Sequence, residues 1–240
     1  MKYILFCFIL FFSIPSKSQV IGGNAFYKVI VTESFLTDKI TGEIRERVIA
    51  SEQAVTDLRI ELIFSLQNAL FNLTNNKDLA GIHLAASAYC DCSDPFFYSL
   101  SEGKSMQYNS AGPFMGEKQY LIEQPLDLKW KIEKETEKID QYTCYKATAL
   151  TLDSDGKSKP VEAWFCPEIP FAYGPRGFGG LPGLILELRY DRSVIGLESL
   201  QLSSKPVQIK MPTEGKRISF AAFHNINKAK LAKFLEEQGN

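Results

Sequence analysis

The chain is poor in the residues that most often carry chemistry. It holds 2 histidines, 2 tryptophans and 5 cysteines in 240 residues. His83 and His224 stand far apart, with no His-Glu-x-x-His motif, so a histidine-based metal site lacks its convergent ligands. No Gly-x-Ser-x-Gly elbow occurs, and no base is identifiable for a nucleophile to use. Glu133, Glu135 and Glu137 read as a solvated strand and turn, the common state of surface carboxylates. Phosphate loops are missing too. Gly103-Lys104-Ser105 and Gly156-Lys157-Ser158 carry Tyr98 and Thr151 where a Walker A loop needs its first glycine. Neither catalysis nor a cofactor is expected.

An excess of one charge is also absent. The formal net charge is −1, with no basic stripe, which argues against nucleic acid as a partner. After the first residues, no stretch approaches the roughly 18 consecutive apolar residues of a membrane helix.

What is there begins with an export signal. Lys2 forms a basic start, Tyr3 to Ile14 an apolar run too short to span a membrane, and Ser16-Lys17-Ser18 a small-residue cleavage site. The expected organisation is a signal peptide over 1–18 and one domain over 19–240, exported to the periplasm or associated with the outer membrane. Cys7 follows bulky Phe6, so a lipoprotein is not expected.

Hydrophobic alternation dominates the rest. Strands are expected at Phe26–Phe35, Leu58–Leu73, Lys118–Ile122, Lys129–Glu133, Gln141–Leu150, Val161–Cys166, Leu184–Tyr190 and Val194–Leu202. Ile60, Leu62, Phe64 and Leu66 alternate against Glu61 and Ser65, although 66–71 is also compatible with a helix. Residues 41–57 read as a long loop or short helix, and 88–116 as short strands and turns. Asn227 to Gln238 shows helical spacing. The expected fold is mainly β: antiparallel strands forming a curved sheet, half-barrel or sandwich, with a C-terminal helix.

Four cysteines remain after the leader, and an oxidising compartment favours their pairing. Cys90 and Cys92 are weak candidates for a soft metal ion, since further ligands are missing. Cys144 and Cys166 are expected on paired strands joined by the Asp153–Lys157 turn. A three-residue turn centred on Asp155 sets them directly opposite, within disulfide range, whereas a one-residue slip sets them on opposite faces. The rival is a bridge from Cys90 or Cys92 to either partner, or free thiols.

The most distinctive stretch is Gly174–Tyr190, with Pro175, Pro182 and five glycines ahead of an apolar run. Gly180-Leu181-Pro182-Gly183-Leu184-Ile185 resembles the signature of the GLPGLI family, a bacterial envelope family. Trp130-Lys131-Ile132, Tyr142-Thr143-Cys144-Tyr145-Lys146-Ala147, Ala163-Trp164-Phe165, Ile169-Pro170 and Gly174-Pro175 follow that family's order. Gln141 departs from it, standing where the family usually has glycine. The resemblance covers about Leu121 to Tyr190 and implies no established activity.

Three functions are weighed. In the first, the loop 171–183 is a rigid surface for another envelope protein, such as an outer-membrane receptor or transporter. Phe171, Tyr173, Arg176, Phe178 and Leu181 would make contact, and Gly174, Pro175, Gly180, Pro182 and Gly183 would shape the backbone. In the second, a concave sheet carries an apolar or lipid ligand. In the third, Cys90 and Cys92 serve thiol or metal chemistry.

Overall fold

The structure, a computed structural model, describes residues 19–74, 81–109, 119–152 and 157–238. The leader and the Asp153–Gly156 part of the expected turn lie outside the described residues. Among the described residues, twelve strands form one open sheet, antiparallel except at one edge. In chain order they are β1 (Gly22–Val31), β2 (Ile60–Ser65), β3 (Asn68–Leu73), β4 (Phe96–Ser99), β5 (Lys104–Asn109), β6 (Tyr120–Pro125), β7 (Lys131–Ile139), β8 (Tyr142–Leu152), β9 (Ser158–Cys166), β10 (Leu184–Tyr190), β11 (Ser193–Ser203) and β12 (Lys216–Ser219). Among the described residues the α-helices are α1 (Gly42–Ala54) and α2 (Ile82–Ser87), which lie between strands, and α3 (Phe220–Gln238), which follows β12. The spatial order is β12-β6-β5-β4-β3-β2-β1-β11-β10-β9-β8-β7.

Period-two patterning explains most of this. In β2, Ile60, Leu62 and Phe64 are buried, while Glu61, Ile63 and Ser65 are only partly covered. In β1, Tyr27 and Val29 are buried while Ile30 faces solvent. Two expectations need correction, and the choice between loop and short helix at 41–57 falls to the helix. The single strand over Leu58–Leu73 is a hairpin, β2–β3, and Leu66 stands exposed at its turn. Ser65 makes that turn without glycine or proline: its hydroxyl donates to the Asn68 carbonyl and accepts the Asn68 amide. Residues 42–54 are helical despite dense charge, because Glu52 ties the helix down, accepting hydrogen bonds from the Ser34 hydroxyl, the Phe35 amide and the Tyr89 hydroxyl. The C-terminal helix starts at Phe220, seven residues before Asn227, directly after β12.

The sheet bends. Bulges interrupt the β1–β11, β9–β10 and β7–β8 ladders, and each adds local twist. Residues just after β6 and at the end of β8, from opposite halves of the strand order, line one cleft. The main core joins β1–β4, the α1–α2 region and the segment Ile169–Tyr173. A second cluster joins β8, β9 and β10 with Leu128, Trp130, Phe178 and Leu181.

Candidate functional site

The glycine- and proline-rich loop leaves β9 and returns to the adjacent β10, yet it touches β2, β4 and β5. It therefore crosses the inside of the curve. Phe171 packs on Phe64, with ring centroids 4.8 Å apart, and Tyr173 packs on Tyr98 at 5.5 Å. Two aromatic side chains pin its backbone, and a third pins the strand it enters. The Tyr98 hydroxyl donates to the Gly174 carbonyl and accepts the Gly177 amide at 2.7 Å. Tyr27 donates to the Ile185 carbonyl at 2.8 Å, and Trp130 Nε1 donates to the Gly179 carbonyl at 2.9 Å. Burial pushes the Tyr27 and Tyr98 hydroxyls far above the usual tyrosine range, so both remain donors.

Three of the five residues expected at a contact surface lie inside the fold instead. Phe171, Tyr173 and Leu181 are buried, and Pro175 is buried with them. An apolar loop covering an apolar sheet releases more water by folding inward than by waiting for a partner. The structural reading of the glycines holds at two positions where backbone passes close to backbone. A Cβ on Gly180, which has φ +81°, would lie 2.2 Å from the Leu126 carbonyl oxygen, and one on Gly183 would lie 2.2 Å from that of Cys166. Gly174 sits against Ile185, and only Pro182 and Gly180 of the motif reach solvent.

Phe178 and Arg176, in contrast, face a groove. Its apolar arm is a cavity of about 380 Å³ lined by Leu126, Leu128, Leu150, Leu152, Phe178 and Phe220, with Glu123 and Asp127 at its margin. Leu150 and Leu152 are 66% and 57% exposed. A second arm of about 420 Å³ is lined by Tyr89, Asp91, Lys159, Arg176, Tyr190 and Arg192. Gln124, Thr151, Leu152, Phe178 and Phe220 belong to both arms, so the two are one continuous groove. The leucines escaped the sequence reading. Their only signal was two leucines on the face of β8 away from Ala147 and Ala149, just before a polar turn.

Arg176 is the deepest charge in the polar arm. Its side chain is 9% exposed, and its Nη2 lies 2.9 Å from Asp91 Oδ2. The guanidinium carbon stands 4.6 Å from the Tyr190 ring centroid, a cation–π distance. Its Nε finds no acceptor among the described residues. Nearby, Arg192 pairs with Glu33 at 3.0 Å and stacks over Phe35, and Lys159 pairs with Asp191 at 2.5 Å. Asp94 lies beside Asp91 in the chain. Burial pushes its carboxyl up to about 6, against an opposing hydrogen bond from Asn109, and the charge of Asp91 adds to the rise.

The cysteines also differ from expectation. Cys90 and Cys92, the weak metal candidates, are bridged to each other, with Cα atoms 5.2 Å apart. Among the described residues, no group of three or more His, Cys, Asp or Glu side chains is placed to hold an ion. The β8–β9 register pairs Leu152 with Ser158 and Tyr145 with Phe165, making Cys144 and Cys166 the next residues on each strand. Both are free and buried. Burial pushes Cys144 up to about 12 and raises Cys166, and a protonated thiol is a poor nucleophile for exchange. Among the described residues, no helix is long and apolar enough to cross a membrane.

Comparison with known proteins adds fold but little function. The family model described as "Protein of unknown function (Porph_ging)" matches residues 152–187, from the end of β8 through the loop into β10. That stretch includes the hexapeptide Gly180–Ile185 and fits a family of unassigned activity. No curated protein matches the chain. Among solved structures, PNGF-II aligns with a TM-score of 0.54 at 14% identity, over 88% of this chain and 34% of that one. The chain thus spans about a third of the PNGF-II chain, and at this identity the likeness is one of fold alone. An uncharacterised conserved protein from Thermus thermophilus aligns at a TM-score of 0.38 and 6% identity, over 84% of this chain and 92% of that one. The LolA superfamily protein NE2245 from Nitrosomonas europaea aligns at 0.27 and 7%, over 80% and 89%.

Proposed function

We propose that this protein is an exported, non-catalytic binding protein that carries an apolar ligand in the groove between β6, β8, the loop and the start of α3. The observation that carries the reading is the placement of Leu150 and Leu152. Both are mostly exposed, yet both line a cavity with Leu126, Leu128, Phe178 and Phe220. Apolar side chains gathered around an open cavity are the usual lining of a small-molecule site, and the volume falls in the usual range for one. The site is also preformed. Gly180 seats the loop against the Leu126 backbone, and Trp130 anchors Gly179, so little order must be gained on binding. The buried loop aromatics favour this reading over a loop-mediated protein contact. The export signal read from the first 18 residues is the basis for an envelope location.

The test uses the mature chain and a naphthylamine fluorophore that brightens in apolar surroundings. Saturable binding is expected, weakened at least tenfold by Leu152→Asp, since burying a charge in an apolar arm is costly. That residue is exposed, so the melting temperature should barely move. A groove that binds no fluorophore, or binds it equally well in Leu152→Asp, removes the reading. Native mass spectrometry of protein purified from its own envelope would identify the cargo.

A further inference from the structure

The polar arm does not need to be there for an apolar ligand. It opens directly onto the apolar arm through Gln124, Thr151, Leu152, Phe178 and Phe220. Its chemistry is set by how deep each charge lies. Arg176 is 9% exposed while its partner Asp91 is 55% exposed. Arg192 is 29% exposed while its partner Glu33 is 67% exposed. In both pairs the cation is the more deeply placed partner and the carboxylate the more exposed one, whereas Lys159 and Asp191 are about equally exposed, so the deepest charge in the arm is positive. Exposed carboxylates of this kind hold their partners weakly and are readily exchanged.

Arg176 carries the strongest sign of a missing partner. Its Nε–H is buried without an acceptor among the described residues, although Nη2 is already paired. A buried donor left unpaired is unfavourable, and more so on a charged group. Its backbone sits at φ 55°, a left-handed conformation that a non-glycine residue adopts only when its surroundings impose it. Tyr190 stacks on the guanidinium and fixes its plane. A planar guanidinium so held, with an unused N–H beside a cavity, fits an oxyanion that accepts from two nitrogens at once.

We propose that the polar arm binds the anionic head group, carboxylate or phosphate, of an amphiphile whose tail occupies the apolar arm. This rests on the reading of the groove given above. Arg176 is the head-group ligand. Asp91 is its placeholder, swinging toward solvent when the head group enters. The chemistry of the ligand follows: an apolar chain ending in one acidic group, such as a fatty acid or an alkyl phosphate.

The experiment displaces the naphthylamine fluorophore with laurate, dodecyl phosphate and dodecanol, which share one tail length, below their micelle-forming concentrations. In the wild-type chain at least one acid should compete about tenfold better than dodecanol, the worth of one charge-assisted hydrogen bond. The ratio of laurate to dodecyl phosphate tells carboxylate from phosphate. Arg176→Gln should bring the acid-to-alcohol ratio close to one. Asp91→Asn should raise it, because the competing carboxylate is gone; asparagine tolerates the φ of 46° found there. The asparagine variant keeps the test decisive if Arg176→Gln fails to fold. Equal competition by all three compounds overturns the head-group site and leaves the apolar groove standing. A ratio unchanged in Asp91→Asn overturns the role of Arg176. Failure of the fluorophore itself to bind overturns the groove, and the head-group site with it.

Discussion

Asp91 and Arg176 stand 85 residues apart in the chain and meet as an ion pair, Nη2 to Oδ2, at 2.9 Å. Both backbones are left-handed, at φ 46° and 55°. Asp91 is held between the bridged Cys90 and Cys92, and Arg176 within the short helical turn Pro175–Gly177. Two such non-glycine conformations each cost on the order of 1–3 kcal/mol. The rest of the fold meets that cost to bring these side chains together at the mouth of one groove.

The Tyr98 hydroxyl is expected to anchor the loop. Tyr98→Phe strips partners from two buried backbone groups, the Gly174 carbonyl and the Gly177 amide. The loss should be about 2–4 kcal/mol, read from the urea midpoint at unchanged slope. A loss below about half a kcal/mol would mean that the loop is held by packing alone.

Two glycines with left-handed backbone should separate steric crowding from backbone preference. Gly42 has φ +61° and open space around it, so Gly42→Ala should cost about 1 kcal/mol. Gly180 has φ +81° and the Leu126 carbonyl oxygen 2.2 Å from where its Cβ would be. Gly180→Ala should cost clearly more and reduce fluorophore binding, because the loop must lift off the wall of the groove. Thermal unfolding of both variants makes the comparison.

Asp94 should make stability fall as pH rises toward neutrality. Its folded-state carboxyl is raised to about 6 by burial, above the ordinary aspartate value of 3.8. The folded chain therefore binds a proton more readily than the unfolded chain between those values. Its penalty is absent below about 4, grows between about 4 and 6, and is complete above about 6. Asp94→Asn should stabilise the protein by on the order of 1 kcal/mol at about pH 7.5 and by progressively less as the pH falls to about 4. Denaturation midpoints across that range check the sign.

Thiol counting tests the cysteine arrangement. Unreduced mature protein should show two titratable thiols after denaturation, from Cys144 and Cys166, and almost none while folded, because both are buried. Peptide mapping should recover the Cys90–Cys92 bridge within one peptide. A recovered Cys144–Cys166 bridge would refute this arrangement.

How much could be read in advance varies with the range of the interaction. The alternation of Ile60, Leu62 and Phe64, the strand at Leu184–Tyr190 and the C-terminal helix were legible, because period two and helical spacing are local. The β2–β3 turn was not: Ser65 closes it with its own hydroxyl, a device that leaves no glycine or proline in the sequence. Strand β12 was missed as well, being four residues long and paired in parallel with β6, to which no short turn connects it.

The loop marks the boundary most clearly. Its glycines and prolines announce a rigid, specified backbone, and Gly180 bears that out, because φ preference belongs to the residue itself. Which way Phe171, Tyr173 and Phe178 point is not encoded locally. Aromatic side chains suit a core and an interface equally well, and only the curve of the sheet decides between them. By itself the sequence determined a mainly β chain and one distinctive loop. Tertiary structure alone decided that the loop fills the sheet, that Leu150 and Leu152 remain uncovered, and that Arg176 lies between Asp91 and Tyr190. Each of these depends on strands far apart in the chain closing around a shared interior, and burial is a property of that closure.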